Sequence, residues 1–159
     1  MSSMRQQQTT PQTMLWLSFT SLGLLYSVML IGVYISASNM GLVCTEWPLC
    51  PNGFDFPSPK YFFEHYHRVL VVITAIFIYT NAAYAIKTRV ETQKYSIASG
   101  IIISFQILLG MLVVQTKLQP LIVALHLSTG VLLFAMTLMT FLSNYTSRKN
   151  KQYKNYNMS

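Results

Sequence analysis

Charge is scarce in this sequence. Of its 159 residues, 9% are charged and 52% are hydrophobic. Soluble domains carry about a quarter charged residues; here the deficit is spread over long apolar runs. That excludes an ordinary soluble domain with a large core and marks an integral membrane protein. A cleavable signal peptide is also not expected. The first apolar run is long enough to span, and no small-residue cleavage site followed by a soluble domain comes after it. Cysteine is limited to Cys44 and Cys50. A four-helix thiol oxidoreductase fits poorly with Cys-x5-Cys spacing and no second pair.

The charge that is present is placed unevenly, with a net +7. Arg5 precedes the first apolar run, and Lys87, Arg89 and Lys94 lie between the second and third. Arg148, Lys149, Lys151 and Lys154 follow the fourth. The other two loops hold only Lys60 and Lys117. The positive-inside rule then places both termini and the middle loop in the cytoplasm. A basic tail of this kind faces anionic lipid rather than nucleic acid, so membrane lipid is the expected partner and no nucleic acid is.

Taken in order, residues 1–12 are polar and expected to be disordered. Residues 13–143 form the membrane domain, with spans over Met14–Ala37, Phe62–Ile86, Tyr95–Gln115 and Pro120–Leu142. Gly23 and Gly32 in the first span permit close helix approach. The outer loop, 38–60, is broken by Gly41, Pro48, Pro51, Gly53, Pro57 and Pro59. Residues 144–159, rich in Asn, Lys and Tyr, read as an unstructured basic cytoplasmic tail. Spans of roughly 20 to 25 residues suit a hydrocarbon core of about 30 Å. Short connections favour an antiparallel four-helix bundle, an all-α fold with both termini cytoplasmic.

The chemistry concentrates where the outer loop enters the second span, at Glu64-His65-Tyr66-His67-Arg68. Ionisable groups at a membrane edge are costly and therefore functional candidates. Glu64, His67 and Arg68 lie at i, i+3 and i+4 and share a helical face. His65 points about 200° away from His67 and reads as an interfacial residue. The second and fourth spans both start on the outer side. His67 lies six residues beyond Tyr61 and His126 six beyond Pro120, so each sits roughly 9 Å into its helix. Two imidazoles at matched depth in one bundle can hold a haem iron from opposite faces of the porphyrin. The plainer reading is an interhelical hydrogen bond for each. No Cys-x-x-Cys-His occurs, which argues against covalent haem attachment. Glu64 reads as a proton acceptor or a stabiliser of positive charge at the porphyrin edge. It also reads as an i, i+4 partner of Arg68, and Arg68 as an anchor for a haem propionate. Cys44 and Cys50 could be a structural bridge or a redox pair; the sequence leaves both open.

Three motifs carry a family resemblance. Gly41-Leu42-Val43-Cys44-Thr45-Glu46-Trp47-Pro48-Leu49-Cys50 is similar to the first outer loop of the haem A synthase family. Glu64-x-x-His67-Arg68 resembles its Glu-x-x-His-Arg motif. Gln106-x-x-Leu109-Gly110, Leu118-x-Pro120 and Val123-x-x-His126-Leu127 resemble its third and fourth helices. The resemblance implies an oxidoreductase that converts the C8 methyl of haem O to the formyl of haem A for terminal oxidase biogenesis. It implies catalysis by Glu64, haem ligation by His67 and His126, and a cysteine pair over the site. Haem O as substrate, haem A as product and haem b as a further cofactor follow, in the plasma membrane, with haem O synthase and further copies of the chain as partners. The alternative is a bis-histidine b-type haem or electron-transfer protein without ring chemistry. The usual family member has eight helices in two bundles, and this chain resembles a compact, half-length form. The family's arginine near the outer end of the first helix falls here at Ser36. Propionate anchoring then passes to Arg68 or Lys117.

Overall fold

Four apolar stretches become four helices: α1 (Gln12–Ala37), α2 (Phe62–Thr88), α3 (Gln93–Gln115) and α4 (Pro120–Tyr156). The computed structural model describes residues 11–48, 50, 56–88, 90 and 93–157, with backbone alone for 151 and 154. The expected N-terminal disorder over residues 1–10, the loop breakers Pro51 and Gly53, and the charges Arg5 and Arg89 lie outside the described residues. Among the described residues there is no strand, and the fold is all-α. All four helices are long and apolar enough to cross a membrane.

The distribution of side chains is inverted relative to a soluble protein. Trp16, Leu30, Ile76, Ile101, Leu121 and Val131 are each more than half exposed, while Ser18, Ser21, Thr74, Thr137, Thr140 and Asn144 are buried. Lipid removes the penalty on exposed apolar groups, and polar groups turn inward to find partners. The protein is a multi-pass membrane protein. α1 packs on α2 and α4, and α3 packs on α2 and α4, which closes the ring. Leu25, Ala75, Ile78, Ile103 and Leu133, from all four helices, form its apolar centre.

Two helix ends are built alike. After α1, the Met40 amide donates to the Ile35 carbonyl (3.0 Å) and the Asn39 amide to that of Ser36 (3.2 Å), with Asn39 at φ 55°. After α3, the Leu118 amide donates to Val113 (2.9 Å) and that of Lys117 to Val114 (3.1 Å), with Lys117 at φ 52°. Both are Schellman caps, which satisfy carbonyls that the helix leaves unpaired. Leu118 also adopts a left-handed φ of 63°. Its side chain lies so close to Gly41 that an added Cβ there would stand 3.2 Å from Leu118 Cδ2. The tight turn thus docks on the outer loop, and Pro120 starts α4 where its missing N–H costs nothing.

The segment from Asn144 differs from expectation. It is helical to Tyr156, an unbroken continuation of α4. Its polar composition suggests disorder, yet no Pro or Gly interrupts it. Two contacts hold its start to α1. Asn144 Nδ2 donates to Ser18 Oγ (3.3 Å) and an Arg148 terminal nitrogen to Gln12 Oε1 (3.0 Å).

Candidate functional site

The outer loop and the start of α2 are tied together by a carboxylate and a guanidinium. Glu64, on the first turn of α2, is only 5% exposed. One carboxylate oxygen accepts the Cys44 backbone N–H (3.0 Å) and the other accepts from Arg68 Nη2 (2.6 Å). Helical spacing alone brings Glu64 and Arg68 together. Arg68 then reaches out to the loop. Nη2 donates to the Cys44 carbonyl (2.9 Å), and Nη1 donates to the carbonyls of Glu46 and Pro48. A planar fork of donors suits several carbonyls at once, where a lysine would not. Cys44 and Cys50 are disulfide-bonded, six residues apart. The loop is therefore closed by the bridge and latched to α2 by Glu64 and Arg68.

About one turn further along lie the histidines, each over a glycine. A Cβ added at Gly32 on α1 would stand 3.1 Å from His67 Cε1, and one at Gly110 on α3 would stand 3.3 Å from His126 Cε1. Each ring also lies against the carbonyl four residues before its glycine, Val28 for His67 and Gln106 for His126. Neither Nδ1 completes a hydrogen bond, although both atoms are buried. The two hairpins thus seat their histidines in the same way. The imidazoles are near enough for their charges to interact.

A buried imidazole nitrogen without a partner is an incomplete arrangement. Among the described residues, no three His, Cys, Asp or Glu side chains gather as metal ligands. Two imidazoles alone are too few for a structural zinc site, which takes four ligands. They suit an iron already held in the plane of a porphyrin. Two imidazoles, each seated over a glycine on its own hairpin, fit a haem.

A family model described as a cytochrome oxidase assembly protein, COX15-CtaA, matches residues 14–158. The chain belongs to the COX15-CtaA family. Among its relatives is a heme A synthase of Lysinibacillus sphaericus, 31% identical over 77% of this chain and 43% of the relative. A heme A synthase of Shouchella clausii is 33% identical over 84% of this chain and 46% of the relative. One from Shewanella oneidensis is 27% identical over 80% and 44%. The chain spans less than half the length of these curated relatives.

Within this COX15-CtaA chain, the sequence-derived residues fall into two groups. Cys44, Cys50, Glu64 and Arg68 form the latched loop; His67 and His126 form the pair beyond it. His65 is half-buried and Lys117 exposed. Ser36 is exposed on α1. Sequence reasoning gives Gln106 no role. Its Nε2 donates to the His126 carbonyl (2.9 Å) and lies 3.5 Å from His126 Nε2. Gly130 leaves room for it, since a Cβ there would stand 3.1 Å from Gln106 Nε2. The available signal is the spacing: Gln106 and Gly110 are four apart, hence on one face. Gly23, expected to admit a neighbouring helix, has nothing within 4 Å of an added Cβ.

Proposed function

We propose that this chain acts as a haem A synthase, binding haem O between His67 and His126 and oxidising its C8 methyl to the formyl of haem A. The observation that carries the reading is the matched seating of the two imidazoles, each over a glycine and beside the carbonyl four residues before it. The name carried by the relatives supports haem A as the product. Bound haem supplies the iron and the methyl-bearing ring. His67 and His126 would each give one ring nitrogen to the iron. Glu64 has two lone-pair sites in use and two left. It serves as the proton acceptor, or as the fixed negative charge for a porphyrin edge that becomes positive. Arg68 holds that carboxylate in place. It would meet a propionate through Nε–H or by yielding a loop carbonyl, with Lys117 as an alternative anchor.

Methyl to formyl removes four electrons. The Cys44–Cys50 bridge takes two when reduced to thiols, so it is not the sole oxidant of one turnover. Adjacent helices run antiparallel, with both termini cytoplasmic and the histidines near the outer face of the plasma membrane. Association with further copies and with haem O synthase belongs to the same reading. One observation favours a bis-histidine b-type haem protein without ring chemistry: both Glu64 oxygens already have structural partners. Haem extracted from membranes that express the chain with a haem O source separates the two. Haem A or a partly oxidised haem is expected. Haem O alone on a folded, haem-loaded protein supports the second reading.

The glycine seats give a further expectation. Gly32→Leu should push the His67 ring aside and weaken haem binding by about 10- to 100-fold, as loss of a ligand's support does. Gly23→Leu, on the same helix but facing open space, should bind haem normally. Titration of the two variants with haem, with helicity checked by circular dichroism, makes the comparison.

A further inference from the structure

The bundle holds a second polar site, far from the histidines and absent from the function just argued. On every helix the order is the same. Gly32, Leu25 and Ser21 follow one another on α1, and His67, Ala75 and Asn81 on α2. Gly110, Ile103 and Ser99 do so on α3, and His126, Leu133 and Thr137 on α4. The apolar centre separates the two polar levels. Asn81 lies 14 residues beyond His67, about 21 Å along α2.

A small cavity opens at the second level, lined by Ser21, Asn81, Ser96, Ser99, Thr137 and Thr140, with Ile78 at its apolar edge. It has room for about one water molecule. Such hydroxyls are expected to bond across a membrane bundle, but here four of them bond back along their own helices. Ser21 donates to Leu17 (2.7 Å), Ser99 to Tyr95 (3.0 Å), Thr137 to Leu133 (2.9 Å) and Thr140 to Met136 (3.0 Å). The protons of these four hydroxyls are engaged, which leaves their oxygens as acceptors. Asn81 is 4% exposed, and its Oδ1 has no partner. Acceptor oxygens from all four helices therefore border the cavity. It carries no carboxylate, so nothing balances the charge of a cation.

We infer that this cavity binds a water molecule that donates to Asn81 Oδ1 and to hydroxyl oxygens of the neighbouring helices. The water supplies cross-helix bonding that those four hydroxyls do not. Asn81 anchors it.

Radiolytic hydroxyl labelling of the full chain in nanodiscs tests this, because radicals form at bound water. Ile78 and Ile103 are the same residue type and each 2% exposed, but only Ile78 borders the cavity. Ile78 is expected to be labelled and Ile103 not. In Asn81→Leu, Ile78 labelling is expected to fall to the level of Ile103. The wild-type comparison stands even if that variant does not fold, and Thr137→Val, close in shape, provides a second. Equal labelling of the two isoleucines in the wild type would overturn the inference, as would undiminished Ile78 labelling in folded Asn81→Leu. A melting temperature raised by sodium or potassium but not by N-methylglucamine chloride would also overturn it, placing an alkali cation there. None of these readouts involves haem or turnover.

Discussion

Replacement of His67 or of His126 by alanine is expected to abolish the two-imidazole haem spectrum of the purified protein and to weaken haem binding by at least about 100-fold, more than loss of a supporting residue alone. Each ring sits in its own glycine seat on a different hairpin, so neither can take the other's place. The variants should still fold. Each removes a half-buried ring whose Nδ1 makes no hydrogen bond. An interhelical hydrogen-bonding role predicts the opposite pattern, a destabilised protein with an unchanged spectrum. His65→Ala serves as the control and should leave the spectrum intact. Optical spectra of the three variants, with haem quantified against protein, decide between these outcomes. An unchanged spectrum in either His67→Ala or His126→Ala would exclude that residue as a ligand.

The second large effect concerns the latch. Arg68→Ala should cost about 3 kcal/mol, the scale for removing one partner of a buried ion pair. The Glu64 and Arg68 side chains are 6% and 12% exposed, so the carboxylate left behind is not rescued by water. The loss also frees three loop carbonyls. Glu64→Gln should cost less, since its amide oxygen can still accept the Cys44 N–H. Arg68→Lys should behave nearly as badly as alanine, because one ammonium cannot span carbonyls that the fork reaches together. The Glu64→Ala/Arg68→Ala double variant should lose less than the sum of the singles, with a coupling of about 0.5–3 kcal/mol. Melting temperatures in detergent, with limited proteolysis at residues 38–60, report both stability and release of the loop. If the loop stays protected in folded Arg68→Ala, the latch is not what holds it.

Much of this architecture is legible in the amino-acid sequence. Long apolar runs mark the helices to within a few residues at most ends, because a chain in lipid has few alternatives. The i, i+4 pair of Glu64 and Arg68 is readable for the same local reason. The helical extension past Asn144 is not, since composition alone does not register the grip of Ser18 and Gln12 on that segment. Gly32 is readable as a small residue, but what fills the space is an imidazole. Arg68 is readable as a cation seeking an anion. Its three loop carbonyls are not, because they depend on where the loop returns.

The chain's own order of residues settled which segments enter the membrane, how deep each histidine lies along its helix and which residues share a face. These are matters of hydrophobic transfer and helical pitch, and both act locally. Which faces meet was decided only by the packed bundle. It put each histidine over a glycine, curled the disulfide loop onto Glu64 and Arg68, and left the hydroxyls of the opposite end facing one small cavity. Those pairings join residues from different helices, and no local rule of spacing carries them.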